Sequence, residues 1–508
     1  MTRVADGSDV IVVGGGPVGM LVANELALHG NSVLVLEQRG DVSEYPKAGT
    51  YHARAIATLA RRGILTVPRL TTDPREETVE QFQFAGYPWL SMRGRTIDGP
   101  VMLGIAQADL ERAIARRAET SGARVLRRHT VVNVTQDHNG VRVIATGPDG
   151  AERSFEARYA VGADGGRSVV RQSGAFAVRE HPPTMRAILG LAGVPHPEQL
   201  PAGWTPTPRG WTLLNLNRYG DSRLIVFEFD GPASDRVAPV TPEEFGAAVD
   251  RVVGSHVDLV APHYLNRFSD YSRVVKNYRD RRLFVAGDAA HIHYPLGGQG
   301  LNAGIGDAVN LGWKLSAVLT GAADERLLDS YGAEREPVGQ WLIDNTRLQS
   351  TLMNPDSAND PVRNVVEQWL HEPGAHDWLA ARINGTSLKH PVGQGGAHQL
   401  DGEFFPDVEL SVDGAPTTVA ELLHGGDFLV LVPTTAASAL VSTADLPFAQ
   451  IAPVSSGLPA EYPEIVVIRP DGYVAWAGGS DEVAHMIRWM RDNFGLRSWG
   501  RTTAPAPT

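Results

Sequence analysis

The chain has 508 residues, 43% hydrophobic and 20% charged, a length that suits about three domains at roughly 150 residues each. It contains no cysteine, which excludes disulfides, thiolate metal sites, iron–sulfur clusters, cysteine nucleophiles and dithiol relays. A net charge of −12 argues against nucleic acid as a partner, and no apolar run reaches the roughly 20 residues of a membrane span. The first residues lack a basic-then-apolar leader, so the expectation is a cytoplasmic protein without a membrane partner. Any redox chemistry must then be carried by a cofactor.

The β-branched run at 10–13 predicts a buried parallel strand. A packed helix follows, ending at Gly30, and a second strand covers 32–36, so that 9–36 form one βαβ unit. Gly14, Gly16 and Gly19 stand between strand and helix with Pro17 and Val18, in the spacing of a dinucleotide fingerprint. Gly14 permits the tight turn and Gly16 lets backbone approach a pyrophosphate. Gly19 lets helix pack on strand, and the helix N-terminus favours phosphate charge. Glu37 follows Gly19 by 18 residues, where a carboxylate can accept from ribose hydroxyls and disfavours a 2′-phosphate.

Further strands are expected at 141–145, 155–161 and 283–286, so this sheet is assembled from distant segments. Between about 178 and 270 the pattern turns antiparallel. Strands at 211–218 and 223–229 flank a turn at 219–222. Ile225, Phe227 and Phe229 share one face there, opposite Leu224, Val226 and Glu228. An aromatic face of this kind is either plain core or the lid of a substrate cavity.

The strand at 283–286 delivers Gly287-Asp288 at its C-terminal end, where doubly wound sheets bind ligands. Pro295 and the run Gly297-Gly298-Gln299-Gly300 then lead into a helix over 301–319. Backbone N–H groups and a positive helix end converge there, a site suited to a delocalised anion. A second acidic strand end, Asp164, lies in Gly162-Ala-Asp-Gly165. His291 and His293 have metal-pair spacing, but no companion acid or histidine cluster stands beside them, so no metal is expected. A second long helix is expected over 327–353, a linker over 389–398, strands at 428–432 and 464–469, a helix at 483–493, and a disordered tail at 502–508.

These motifs in this order resemble the group A flavin-dependent aromatic hydroxylases of the para-hydroxybenzoate hydroxylase fold. They are most similar to the three-domain enzymes that tailor aromatic polyketides in actinomycetes. The carriers are the glycine triplet 14–19, Asp164-Gly165 with Arg167 and Ser168, Gly287-Asp288, the run 297–302, Asp307-Ala-Val-Asn-Leu311, and the run 468–476. The resemblance implies an α/β fold: a Rossmann-like FAD-binding domain (1–177 and 271–390), an inserted, mostly antiparallel substrate domain (178–270), and a thioredoxin-like C-terminal domain (391–508). Without cysteine, that last domain has no thiol chemistry to perform.

It implies that Glu37 binds the adenosine ribose, with Gln38 where an arginine is common, and that Gln107 and Asp288 bind the flavin's linking chain. Asp164 would serve the pyrophosphate region and the nicotinamide donor. Gly287, Gly298 and Gly300 would shape the backbone around the flavin, and Leu301 and Asn302 would meet the isoalloxazine edge. Pro295 would lie over the flavin face where oxygen adds, and Arg54 on the loop that meets the mobile flavin. These two are the candidate catalytic residues.

Tyr87, Trp89, Trp211, Phe227, Phe229, Tyr294 and Leu296 are the candidate substrate contacts. The implied activity is an FAD-dependent, NADPH- or NADH-consuming monooxygenase that uses O₂ to hydroxylate a small aromatic substrate through a flavin C4a-hydroperoxide. It would act as a monomer or homodimer. Baeyer–Villiger oxygenation, or a flavoprotein that does not oxygenate, stays open at the level of sequence.

Overall fold

A computed structural model describes all residues except 1, 4–6, 45–48, 67–81, 93–94, 97, 234–237, 391–397, 438–447, 459–461 and 497–508. The first sheet begins with β1 (Ser8–Val13), α1 (Pro17–Leu28) and β2 (Val33–Glu37). Next come α2 (Ala53–Ala60) and a hairpin of β3 (Phe82–Phe84) and β4 (Tyr87–Leu90). Then follow α3 (Gln107–Thr120), β5 (Arg124–Arg127), β6 (Thr130–Gln136), β7 (Val141–Thr146) and β8 (Glu152–Gly162). Strand order is β5-β2-β1-β8-β7-β6. The β5-β2-β1-β8 half is parallel and the β8-β7-β6 half antiparallel. Val10, Ile11, Val12 and Val35 are wholly buried, as a strand covered on both faces requires.

The inserted sheet comprises β9 (Arg186–Gly193), β10 (Gly203–Thr207), β11 (Gly210–Asn215), β12 (Ser222–Glu228) and β13 (Val260–Ser269), with α4 (Pro242–Val253) between the last two. The order β10-β11-β12-β9-β13 is antiparallel throughout. The alternation in β12 sorts as its sequence dictates. Leu224 and Val226 pack with Phe245 and Val249 of α4, whereas Ile225, Phe227 and Phe229 face an aromatic cluster on the other side.

The chain returns to the first sheet as β14 (Leu283–Val285), parallel to β8. Two long helices follow, α5 (Gln299–Leu319) and α6 (Asp329–Met353), then a helical pair, α7 (Asp360–His371) and α8 (Pro373–Ile383). The last sheet contains β15 (Glu409–Val412), β16 (Ala415–Thr418), β17 (Phe428–Pro433), β18 (Ala449–Ser456), β19 (Ile465–Ile468) and β20 (Val474–Gly478), closed by α9 (Val483–Phe494). Its core is a parallel pair, β17 and β18, continued by antiparallel β19 and β20. The expected linker falls mostly, and the expected tail wholly, outside the described residues. Among the described residues, no helix is long and apolar enough to cross a membrane.

Candidate active site

β1 and β2 end side by side, with the Gly14 N–H on the Leu36 carbonyl at 2.8 Å. Gly14 has φ +100, and a Cβ there would lie 2.4 Å from the Ala163 oxygen, so the turn demands glycine twice over. A Cβ on Gly19 would lie 1.9 Å from the Gly14 oxygen, so its absence lets α1 start against the loop. Gly16 is different: nothing lies within 4 Å of a Cβ built there. This open space sits over the N-terminus of α1, which Gly16 leaves without a side-chain cap. Pro17 removes one N–H at the first helical position, and the others stay available to an anion. Val18 packs against Gly287 and Gly304 and ties this loop to the second motif.

Glu37 is buried, accepting from the Gly15 N–H at 2.6 Å and the Arg39 N–H at 2.7 Å. Its carboxylate is thereby aimed before any ligand arrives. Gln38 is exposed beside it. At the end of β8, Asp164 accepts from the Val169 N–H at 2.6 Å through Oδ2, while its buried Oδ1 has no hydrogen-bond partner among the described residues. Burial raises this carboxyl's pKa. Gln107 is the first residue of α3 and half-buried. An aimed acid, an orphaned buried acceptor and an open glycine cradle together suit a dinucleotide, so FAD fits the residues present.

At the end of β14, Asp288 is exposed, while the Gly287 N–H donates to Asp307 Oδ2 at 3.0 Å. Asp307, known from the sequence only as the first residue of the motif 307–311, is a hub. It also pairs with His291 Nε2 at 2.7 Å and Arg335 Nε at 2.7 Å, all buried. Burial alone would raise its pKa. The His291 imidazole and Arg335 guanidinium outweigh burial and hold it at about 2. His291 and His293 part company here. The ring of His293 packs where a Cβ on Gly300 would lie, 2.2 Å from its Cε1. A buried trio that could ligate a metal exists elsewhere, Glu334, His390 and Asp471. Its carboxylates already face Arg469 and Lys314.

Pro295 is exposed and introduces a single turn, Leu296–Gly298, before α5 begins at Gln299. Gly298 is the residue that caps α5, and Gly300 is its second residue. Asn302 locks this corner: Oδ1 accepts from the His52 N–H at 2.8 Å, and Nδ2 donates to the Gly298 and Thr50 carbonyls at 2.7 and 3.1 Å. The side chain is therefore committed to structure. The backbone N–H groups of the first turn, with Leu301 among them, remain for a ligand. Arg54 lies elsewhere than expected. It is in the first turn of α2, not on a loop, with its guanidinium over the Phe404 ring at 3.4 Å and bonded to the Gly385 and Thr386 carbonyls. Those contacts turn it toward the C-terminal part of the chain.

All seven candidate substrate residues fall in one cluster. Tyr87 stacks on Trp89 at 4.1 Å and meets the edge of Trp211 at 4.9 Å. Phe227 meets Tyr294 at 6.3 Å, and Leu296 is buried beside them. Trp211 is 2% exposed and donates to the Met353 carbonyl at 2.7 Å, which makes it wall rather than free surface. Sequence reading missed Phe82, Trp204 and Phe268, which complete the cluster. Phe82 also abuts the turn after Pro295, its Cζ lying 2.9 Å from where a Gly297 Cβ would be. The aromatic cluster and the start of α5 are thus packed against each other.

Comparison with known proteins agrees with this geometry. Residues 7–346 match the FAD binding domain family, and residues 398–496 match the aromatic-ring hydroxylase C-terminal family. The chain is 36% identical over 486 residues to a rifampicin monooxygenase of Streptomyces venezuelae, covering 95% of this chain and 98% of that protein. The solved structure of the OxyS anhydrotetracycline hydroxylase from Streptomyces rimosus superposes with a TM-score of 0.83 at 31% identity, covering 97% of this chain and 99% of that one. The Diels–Alderase PyrE3 of pyrroindomycin biosynthesis superposes with a TM-score of 0.79 at 30% identity, covering 96% and 100%.

Proposed function

The chain belongs to the FAD-dependent aromatic-ring hydroxylases, flavin-dependent monooxygenases, and on that premise we propose that it hydroxylates a polycyclic phenol of the aromatic polyketide kind. One observation carries the reading: the aromatic cluster built from β3, β4, β12 and Tyr294 runs directly into the Pro295 turn that opens α5. Flat, edge-to-face rings of this size are suited to a multi-ring substrate. Bound FAD supplies the chemistry by accepting a hydride from NADPH or NADH and passing one oxygen atom of O₂ to the substrate.

The protein's part is positioning. Gly14, Gly16, Pro17, Val18 and Gly19 would cradle the pyrophosphate, Glu37 the adenosine ribose, Asp164 the pyrophosphate flank, and Gln107 and Asp288 the linking chain. The N-terminal turn of α5 at Leu301 and Asn302, with Gly298 and Gly300 shaping it, would stabilise negative charge on the flavin edge. Pro295, exposed at the rim, would cap the ring face, and the aromatic wall would keep water from the reacting oxygen.

We read 1–177 with 271–390 as the FAD unit, 178–270 as the substrate unit and 391–508 as the C-terminal unit, a division supported by the three largest sheets. Action as a monomer or homodimer is part of the proposal. Dependence on NAD(P)H supports a cytoplasmic location.

The test is product mass analysis after turnover under ¹⁸O₂ with a panel of phenols, naphthoquinones and tetracyclic ketones. One labelled oxygen on a ring carbon is expected, and a labelled lactone or ester oxygen would replace hydroxylation by Baeyer–Villiger chemistry. A second reading is favoured by the likeness to the Diels–Alderase: flavin held as structure in a chain that does not oxygenate. It would be supported by substrate binding without any label incorporation or NAD(P)H oxidation.

A further inference from the structure

His52 is a buried titratable group to which the proposed function gives no task. It ends the short strand Thr50–His52, which pairs with Met102–Gly104, and stands immediately before α2. Its backbone N–H is the one that Asn302 Oδ1 holds at the start of α5. The residue is 1% exposed, and its ring lies edge-on to Phe82 with 6.1 Å between ring centres. His52 therefore sits where the flavin corner meets the aromatic cluster.

Nδ1 lies 2.9 Å from the Ile383 carbonyl. A carbonyl only accepts, so Nδ1 carries the hydrogen, and the neutral ring leaves Nε2 as a bare acceptor. Nε2 is buried with no hydrogen-bond partner among the described residues. Burial lowers the pKa of the ring, while the carbonyls of Ile383 and Gly297 both favour its charged form. A proton on Nε2 would turn an orphaned acceptor into a donor for the Gly297 carbonyl. The surrounding elements bring no competing charge. Asn302, Phe82, Met102, Ile383 and Gly297 do not titrate. Burial and Glu111 keep Tyr51 a neutral phenol, and Arg54 is turned to Gly385, Thr386 and Phe404. His293, against Gly300, is held at about 3 by burial and by His291, with no carbonyl to offset them.

We propose that His52 Nε2 takes up a proton when bound FAD is reduced, balancing the charge that develops at the start of α5. The inference rests on the reading that puts the flavin edge at this turn. Hydride from NADPH or NADH carries two electrons and one proton to the flavin and leaves it one negative charge. A further proton comes from solvent and goes to Nε2, with no bond broken in the protein. An opposite charge within about 4–6 Å raises a group's proton affinity about ten- to thousandfold. Before that charge appears, burial and the positive end of α5 both oppose a cation. The ring is therefore neutral beside oxidised FAD and charged beside reduced FAD. Its new bond to the Gly297 carbonyl would tighten the turn between the aromatic cluster and α5.

The experiment measures the midpoint potential of the FAD-loaded protein by anaerobic dye equilibration between about pH 6.5 and 8.5, at and above the ordinary histidine value. Each pH unit is a tenfold change in proton activity, worth about 30 mV per proton in a two-electron couple. The parent should take up two protons per FAD, one on the flavin and one on His52, a slope of about 59 mV per pH unit. His52→Gln, which keeps a donor for Ile383, and His52→Phe, which keeps a flat ring, should each fall to one proton. His293→Gln should keep two. One proton in the parent would overturn the proposal. So would two in both His52 variants, which would put the second proton on the flavin, or its loss in His293→Gln. Should neither His52 variant fold, ¹⁵N-histidine spectra of the parent decide: one buried ring should gain an Nε2 proton on reduction, and rings that all stay unchanged would overturn the proposal. A chain that holds no FAD refutes the cofactor reading, whereas bound FAD with a one-proton slope refutes the role of His52 alone.

Discussion

Gly16 and Gly19 are separated by two residues, yet the structure makes opposite demands on them, and exchanging each for alanine separates ligand space from packing space. Gly16 has φ −73 and ψ 179, an extended backbone that alanine adopts freely, and its Cβ would meet nothing within 4 Å. In the FAD-free protein Gly16→Ala should therefore be neutral or stabilising by about 0.4–1 kcal/mol, through loss of freedom in the unfolded chain. With FAD present, the methyl occupies the space assigned to the pyrophosphate. Crowding of that kind costs about 1–3 kcal/mol, so affinity should fall about five- to 150-fold. Gly19→Ala reverses the pattern. Its Cβ would lie 1.9 Å from the Gly14 oxygen, so loop or helix must move by about 1 Å, and the FAD-free protein should lose about 1–3 kcal/mol. Melting curves of the stripped proteins and fluorescence titration with FAD measure both quantities. The reasoning fails if Gly16→Ala binds FAD like the parent, or if the two variants lower the melting temperature of the stripped protein equally.

Asp288→Ala removes an exposed carboxylate from the end of β14; FAD retention on gel filtration should weaken about 10- to 100-fold, the worth of hydrogen bonds to a charged group. Asp307→Asn uncouples His291 and Arg335 inside the core and should destabilise by about 3–5 kcal/mol at neutral pH. Because the folded pKa of Asp307 is lowered to about 2 from 3.8, its contribution is present above about pH 4 and is lost as pH falls through 2. Melting temperature against pH between 2 and 5 should accordingly be flatter for the variant than for the parent. Arg469→Met leaves Asp471 buried without its arginine and Glu334 with Lys314 as its remaining cationic partner among the described residues; a loss of about 3–5 kcal/mol should appear as an earlier first melting transition, and an unchanged transition would count against the network.

What the sequence discloses about this site is what depends on neighbours close along the chain. The glycine triplet, the strand on either side of it and the acid at 37 interact over about 20 residues, so spacing alone carries their meaning. The alternation in β12 is equally local: Phe227 and Val226 go to opposite faces because successive side chains must. Groups whose partners lie far away were not legible. Arg54 was expected on a flavin loop by resemblance alone, but its guanidinium is held by Gly385 and Phe404, more than 300 residues on. Asp307 stands out in the sequence only as part of the motif 307–311, without its partners. Only the fold brings Gly287, His291 and Arg335 around it.

The same distinction explains the C-terminal part of the chain. Read alone, it is an appendage, since a cysteine-free thioredoxin-like sheet has no redox task. In the fold, its turn 469–473 is driven into the helices that support the site. Arg469 bonds Glu334 of α6, Asp471 accepts from Asn310 and Trp313 of α5, and the Gly472 and Pro470 carbonyls accept from Arg61 and Arg62 next to α2. All of these groups except the two carbonyls carry buried side chains, and withdrawal of the turn would take Arg469 from Glu334 and the acceptor Asp471 from Asn310 and Trp313. α5 is therefore fixed at its start by Asn302, along one flank by α1, and along the other by this turn. Its N-terminal N–H groups can stabilise charge on the flavin only if they do not move as that charge develops. On the proposed function, the C-terminal unit would serve the chemistry by holding α5 still, a task for which cysteine is irrelevant.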